Sequence, residues 1–147
     1  MQLADPDASW PLARALQRSQ EGAARDALRD AFRRLQPKQT VPLLGKLYQK
    51  EQPTERLAAV LALEACEAPE AVPGLVKALG DKAREVKLAA LSALSNHQKS
   101  KPALRPAVME GLATIRALAL DKSDREISRL ASQLHLAIAG RMPDQKR

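Results

Sequence analysis

Apolar positions recur along the chain at intervals of three and four, the spacing of one face of an α-helix, and they do so in blocks that repeat. Val41–Leu63, VPLLGKLYQKEQPTERLAAVLAL, aligns without a gap on Val72–Leu94, VPGLVKALGDKAREVKLAALSAL, 31 residues later. The same step taken backwards from Pro42 reaches Pro11, so Pro11, Pro42 and Pro73 share one phase. Each stands near the start of an apolar-periodic run, where its missing N–H costs nothing and its fixed φ suits a first helical turn. The runs WPLARALQRS, VPLLGKLYQK and VPGLVKALGD are therefore expected as first helices of repeats. Ala24–Phe32, Glu55–Leu63 and Val86–Leu94 follow in phase as second helices. Thr54 and Asp81 are the expected N-caps of the latter two, and Gly80 the C-terminal stop before Asp81.

A fourth copy is degenerate. SRLASQLHLAI, Ser128 to Ile138, matches RLAAVLAL and KLAALSAL after an insertion of about eleven residues. The insertion reads NHQKSKPALRPAV, with Pro102 and Pro106 breaking any simple continuation. A preceding helix is expected roughly over Ala107 to Asp121, and the tail RMPDQKR is expected to fray. Helix pairs in tandem cannot each bury their apolar face alone; they do so by stacking on neighbours.

The stretch APEAVPGLVKALGDKAREVKLAALSAL resembles the short HEAT-like repeat of bacteria, the type also seen in phycobilin lyases. The features that carry the resemblance are Ala71-Val72-Pro73 at the opening, Asp81 at the turn, Val86-Lys87 after it and an Ala-rich second helix. The resemblance implies an all-α fold: an α-solenoid of about four HEAT-like antiparallel helix pairs in a right-handed superhelical stack. One domain over 1–147 is expected, with repeats roughly at 6–36, 37–67, 68–97 and 107–140. Residues 98–106 form a Pro/Lys-rich insertion and 141–147 a tail. Such a fold specifies an architecture, not an activity.

Composition agrees. The chain is 45% hydrophobic but only 2% aromatic, so Ala and Leu, both strong helix formers, must fill the interior. The formal charge is +7, from 24 Lys and Arg against 17 Asp and Glu, which suits anionic surfaces but equally serves solubility. A single cysteine, Cys66, excludes an internal disulfide or a cysteine-built metal site and fits a reducing compartment. The first ten residues, MQLADPDASW, show no basic n-region and no apolar run. No stretch approaches the roughly 20 apolar residues needed to span a bilayer. The expectation is a cytoplasmic protein without membrane contact.

Lining up the second helices yields columns. The first is basic: Arg25, Arg56, Lys87 and Arg129, one per repeat. Such a rail could neutralise successive phosphates. A structural ladder is favoured over it, since HEAT-like repeats commonly pair this residue with an acid of the preceding turn. Glu21 would then serve Arg25, Glu51 or Glu55 would serve Arg56, and Asp81 would serve Lys87. The position after the basic residue, and those three and four later, are usually polar in the family and line the concave face. Here they are Leu57, Val60 and Leu61, then Leu88 and Leu91, then Leu130 and Leu134 around Gln133. In the first repeat they are Asp26, Arg29 and Asp30. Either a tightly curled fold covers these leucines, or they form an apolar groove for a partner helix, a peptide or a second copy. The groove is favoured, with Arg29, Arg33 and Arg34 beside it to select an acidic flank.

Catalytic chemistry finds little support. His97, in the insertion, and His135, on the last helix, lack a second ligand at metal spacing. Glu64, Glu67 and Glu70 crowd one turn without a His, Lys or Tyr partner for acid–base work. Cys66 beside them should keep a normal or raised thiol pKa. The six glycines are scattered singly, so no phosphate-binding loop is present. The expectation is a non-enzymatic interaction or scaffold module, with no cofactor and no metal. It would bind another protein, or itself as a homo-oligomer, on the second-helix face. The alternative is a nucleic-acid or phosphate binder using the basic rail with Lys99, Lys101 and Arg105.

Overall fold

The computed structural model describes residues 37–142 and, ahead of them, Pro11, Arg14, Ala15, Asp26, Asp30 and Arg34. Trp10, Phe32 and most of the expected first helix pair lie outside the described residues. Seven α-helices follow within 37–142: α1 (Pro37–Tyr48), α2 (Pro53–Cys66), α3 (Val72–Ala78), α4 (Arg84–Ser100), α5 (Arg105–Met109), α6 (Leu112–Leu120) and α7 (Arg125–Ala139). Short 3-10 turns, Pro69–Ala71 and Pro102–Leu104, lead into α3 and α5, and no strand occurs among the described residues.

Helices α1 and α2, α3 and α4, and α6 and α7 pack as successive hairpins. Helix α2 lies on α4 and α4 on α7, so the second helices form one continuous layer. Leu44, Leu75, Leu79, Leu91, Leu94 and Ile115 fill the core, and Ala58, Ala59, Ala62, Ala90 and Ala93 let the inner helices approach closely. Position in the stack decides how much of a helix is covered. Nine of the fourteen residues of α2 are buried, because neighbours flank it. Only six of the fifteen in α7 are: Ile127, Ser128, Ala131, Leu134, His135 and Ile138. They form the single stripe of a helix packed on one side.

Helix ends differ from expectation in four places. Helix α1 opens at Pro37, so Pro42 sits inside it, whereas Pro73 falls in the first turn of α3. Helix α2 opens at Pro53 after Gln52 and α4 at Arg84 after Ala83, so neither Thr54 nor Asp81 is the N-cap. Gly80 is not left-handed: tight turns from Leu79 N to Val76 O and Gly80 N to Lys77 O (both 3.1 Å) close α3 instead. The left-handed stop belongs to Gly140 (φ 74), which ends α7.

The helix expected over Ala107–Asp121 is two helices, broken at Glu110-Gly111. Gly111 explains the break, for a Cβ built there would stand 2.6 Å from Cγ2 of Val76. The chain turns where α3 presses against its backbone. Gly111→Ala is expected to lower stability by about 1–3 kcal/mol through overpacking, read by urea denaturation. Helix α4, by contrast, runs on to Ser100, absorbing the start of the expected insertion.

Candidate interaction surface

The basic column resolves into an inter-repeat ladder. Arg56 of α2 is buried, and its Nε and Nη2 donate to the Asp81 carboxylate at 2.8 and 3.2 Å. Its Nη1 donates to the carbonyls of Lys50 (3.1 Å) and Glu51 (2.6 Å). The Tyr48 hydroxyl and the Ala83 amide also donate to Asp81, each at 2.8 Å. Burial alone would push the Asp81 carboxyl up, but Arg56, the Ala83 amide and Tyr48 together hold it below its ordinary value. The acid that serves Arg56 therefore comes from the following repeat, not from Glu51 or Glu55. Glu55 faces the first repeat, where it pairs with Arg14 at 3.1 Å.

The next turn places its acid alike. Asp121, in the α6–α7 turn, accepts from the Ser123 amide at 3.0 Å just as Asp81 accepts from Ala83. The Ser123 hydrogen bonds, and more weakly the charge of Lys87, hold Asp121 below its ordinary pKa. A third, exposed link joins Arg84 to Asp124 (2.6 Å) and Glu126 (3.1 Å). Arg56 and Arg84 thus stitch consecutive repeats together. Arg25 lies outside the described residues.

Tyr48 supplies a direct probe of the upper rung. Burial, then the hydrogen bond to Asp81 and its charge, push the phenol well above its ordinary 10.0. Tyr48 is the one tyrosine of the chain. The alkaline absorbance titration of the folded protein is therefore expected to begin above the usual tyrosine range, and to return toward it in denaturant.

Burial also sets the register of α7 on α4. Val86, Ala90, Ala93, Leu94 and His97 are buried on α4, and Ile127, Ala131, Leu134, His135 and Ile138 on α7, a constant offset of 41. The expected alignment placed Ser128 on Val86, one residue further. The α6–α7 turn is short, and its last residue, Asp124, caps α7 by accepting from the Glu126 and Ile127 amides. Three expectations are corrected by this shift. Arg129 leaves the basic column, where Ser128 now stands, donating to the Ala119 carbonyl at 2.6 Å and accepting from Lys122 at 3.2 Å. Leu130 falls on Ala89, and Leu134 on the buried column of Ala93.

The expected groove residues divide accordingly. Val60 (0% exposed), Leu91 (2%) and Leu134 (2%) are core. Leu57, Leu61, Leu88 and Leu130 are half-buried and pack against that core. Arg29 and Arg33 lie outside the described residues. In the corrected register, one outward column reads Asp26, Leu57, Leu88, Arg129 and the other Asp30, Leu61, Ser92, Gln133. Asp26, Asp30, Ser92, Arg129 and Gln133 are exposed.

Of the side chains considered for catalysis, both histidines and Cys66 are buried among the helices. His97 is buried in α4, not in a loop, and its Nε2–H donates to the Glu64 carbonyl at 2.7 Å, tying α4 to α2. His135 is buried and bonds the Arg141 carbonyl through Nδ1 at 2.8 Å. Burial pushes the Cys66 thiol up to about 12. Glu67 closes α2 in a left-handed conformation (φ 48) and pairs with Lys101 at 3.7 Å. Among the described residues, no group of three His, Cys, Asp or Glu side chains could hold a metal, and no helix is long and apolar enough to cross a membrane.

A protein-family model described as HEAT repeats matches residues 9–95, more than half of the 147. The chain belongs to the HEAT-repeat family. The match stops at the end of the expected third repeat, yet the α6–α7 hairpin continues the stack of this HEAT-repeat chain beyond it. Among solved structures, the chain is similar to the crystal structure of an engineered protein from the Northeast Structural Genomics Consortium. That likeness has 23% identity and a TM-score of 0.58 and covers 91% of this chain. The chain spans 56% of that protein's length, and at this identity the likeness supports the α-solenoid fold alone. Nothing among curated proteins matches the chain. HEAT repeats generally mediate protein–protein interaction or scaffolding and are typically non-enzymatic.

Proposed function

We propose that this HEAT-repeat chain is a non-catalytic scaffold that binds an amphipathic helix of another protein along the outward columns of its second helices. The observation that carries this reading is the change of character along those columns. Exposed Asp26 and Asp30 stand at one end, half-buried Leu57, Leu61 and Leu88 in the middle, and exposed Arg129 and Gln133 at the other. A helix laid across would place its apolar stripe on the leucines, its basic end toward Asp26 and Asp30, and its acidic end toward Arg129. Val60 and Leu91 support the leucines from beneath. A phosphate-tracking surface is less well served, because Arg56 is buried and engaged by Asp81.

The test is a double variant, Leu57→Gln with Leu88→Gln, whose circular dichroism should match the parent and whose melting should stay cooperative, lowered by a few degrees. A protein retained by the parent and released by the variant supports the proposal. Solution mass distinguishes a foreign partner from a second copy of the chain. Unchanged retention, or unfolding by these two substitutions, removes the leucines from the binding surface.

A further inference from the structure

On a different edge of the molecule, where the α1–α2 and α3–α4 turns lie side by side, a cleft of about 770 Å³ opens to solvent. Its charged lining is lopsided: Lys50, Arg56, Lys77 and Lys82 against Glu51 and Asp81. The cations come from four separate places, the first turn, α2, α3 and the second turn, so no single helix periodicity groups them. The balance is more lopsided than the count. Both Asp81 oxygens are already occupied, by Arg56, Tyr48 and the Ala83 amide. Arg56 pairs with Asp81, while Lys77 and Lys82 are exposed and no carboxylate among the described residues pairs with them. Two ammonium groups held over a concave wall concentrate positive potential and attract an anion.

We infer that this cleft is a binding site for the carboxylates of an acidic peptide segment. Its size favours a short stretch over a long polyanion, for the cleft spans only two consecutive turns. The lysine of the next turn, Lys122, donates instead to the Ala119 carbonyl at 3.3 Å and the Ser128 hydroxyl at 3.2 Å, so the unengaged cations stop at two turns. A nucleic-acid backbone needs a longer track, since its affinity grows with the number of phosphates neutralised. One aromatic ring, Tyr48, lines the cleft, and its hydroxyl is held by Asp81. Successive bases would lack stacking partners. The site is independent of the leucine face, and its test leaves that face intact.

The experiment is fluorescence anisotropy of a labelled hexaglutamate peptide, titrated with the full chain at low and at moderate salt. Lys77→Gln with Lys82→Gln is compared with Lys38→Gln with Lys99→Gln, two exposed lysines outside the cleft whose loss changes net charge equally. Removal of two charge-assisted contacts should weaken binding by about tenfold or more, while the control pair changes it by less than about twofold. Equal weakening by both pairs, or no binding by the parent chain, overturns the site. A random single-stranded or duplex oligonucleotide is run alongside. If it binds more tightly than the peptide and loses that binding with the cleft pair, the acidic-peptide assignment is overturned in favour of nucleic acid.

Discussion

Asp81→Ala is expected to lower the unfolding free energy by about 3–5 kcal/mol, the cost of leaving one partner of a buried ion pair uncompensated. The stranded group would be Arg56, whose side chain is 9% exposed and whose Nε and Nη2 both lose their acceptor. The Tyr48 hydroxyl and the Ala83 amide would lose theirs as well. Replacing both charges, Arg56→Met with Asp81→Leu, should recover much of the loss, because the desolvated charges then disappear together. Arg84→Ala provides the contrast. Its links to Asp124 and Glu126 are exposed, and their removal should be barely measurable by the same urea titration.

The same rung determines an acid limb. Asp81 is held below its ordinary 3.8 in the folded protein. The unfolded chain therefore binds a proton before the folded one does. The stability from this group is complete above the unfolded pKa and is lost as pH falls through the lower, folded value. Asp81→Asn should accordingly show a shallower loss of stability below about pH 4 than the parent. An unchanged slope would mean that other carboxylates carry the acid sensitivity.

Leu91→Ala is expected to cost about 2–5 kcal/mol, as a fully enclosed leucine leaves both lost transfer energy and a cavity. Leu91 is 2% exposed in the layer where α4 lies between α2 and α7. Leu88, three residues earlier, is half-buried, and Leu88→Ala should cost no more than about 1 kcal/mol. The pair separates core from face by denaturation alone. Comparable losses at both positions would show that the outward column is as enclosed as the inner one.

The stacked hairpins were legible from the 31-residue repeat. Val72-Pro73 opens α3 as expected, and the Ala-rich second helices occupy the interior. The fourth copy was found but misregistered by one residue. RLAAVLAL and SRLASQLHLAI share letters at an offset one residue too long, because leucines and alanines stand on both sides of the true register. Burial at Ala131, Leu134 and His135 reveals it. The division of the apolar columns was also out of reach. Leu88 and Leu91 are both leucines on one helix, and only the helices packed around α4 decide which is enclosed. The lysine cleft escaped for the same reason, although Lys50 and Lys82 fall in corresponding turns.

By itself, the sequence determined that the chain is helical, that it repeats, and that its helices must stack to bury their leucines. These follow from propensity and periodicity, which are local properties of the backbone and of side-chain spacing. The tertiary structure alone decided where the ladder acid comes from, which leucines are core, and where cations gather. Arg56 reaches Asp81 across 25 positions of chain, a contact created by one hairpin settling on the next. Distances of that kind are set by packing, and no pattern along a single strand of letters records them.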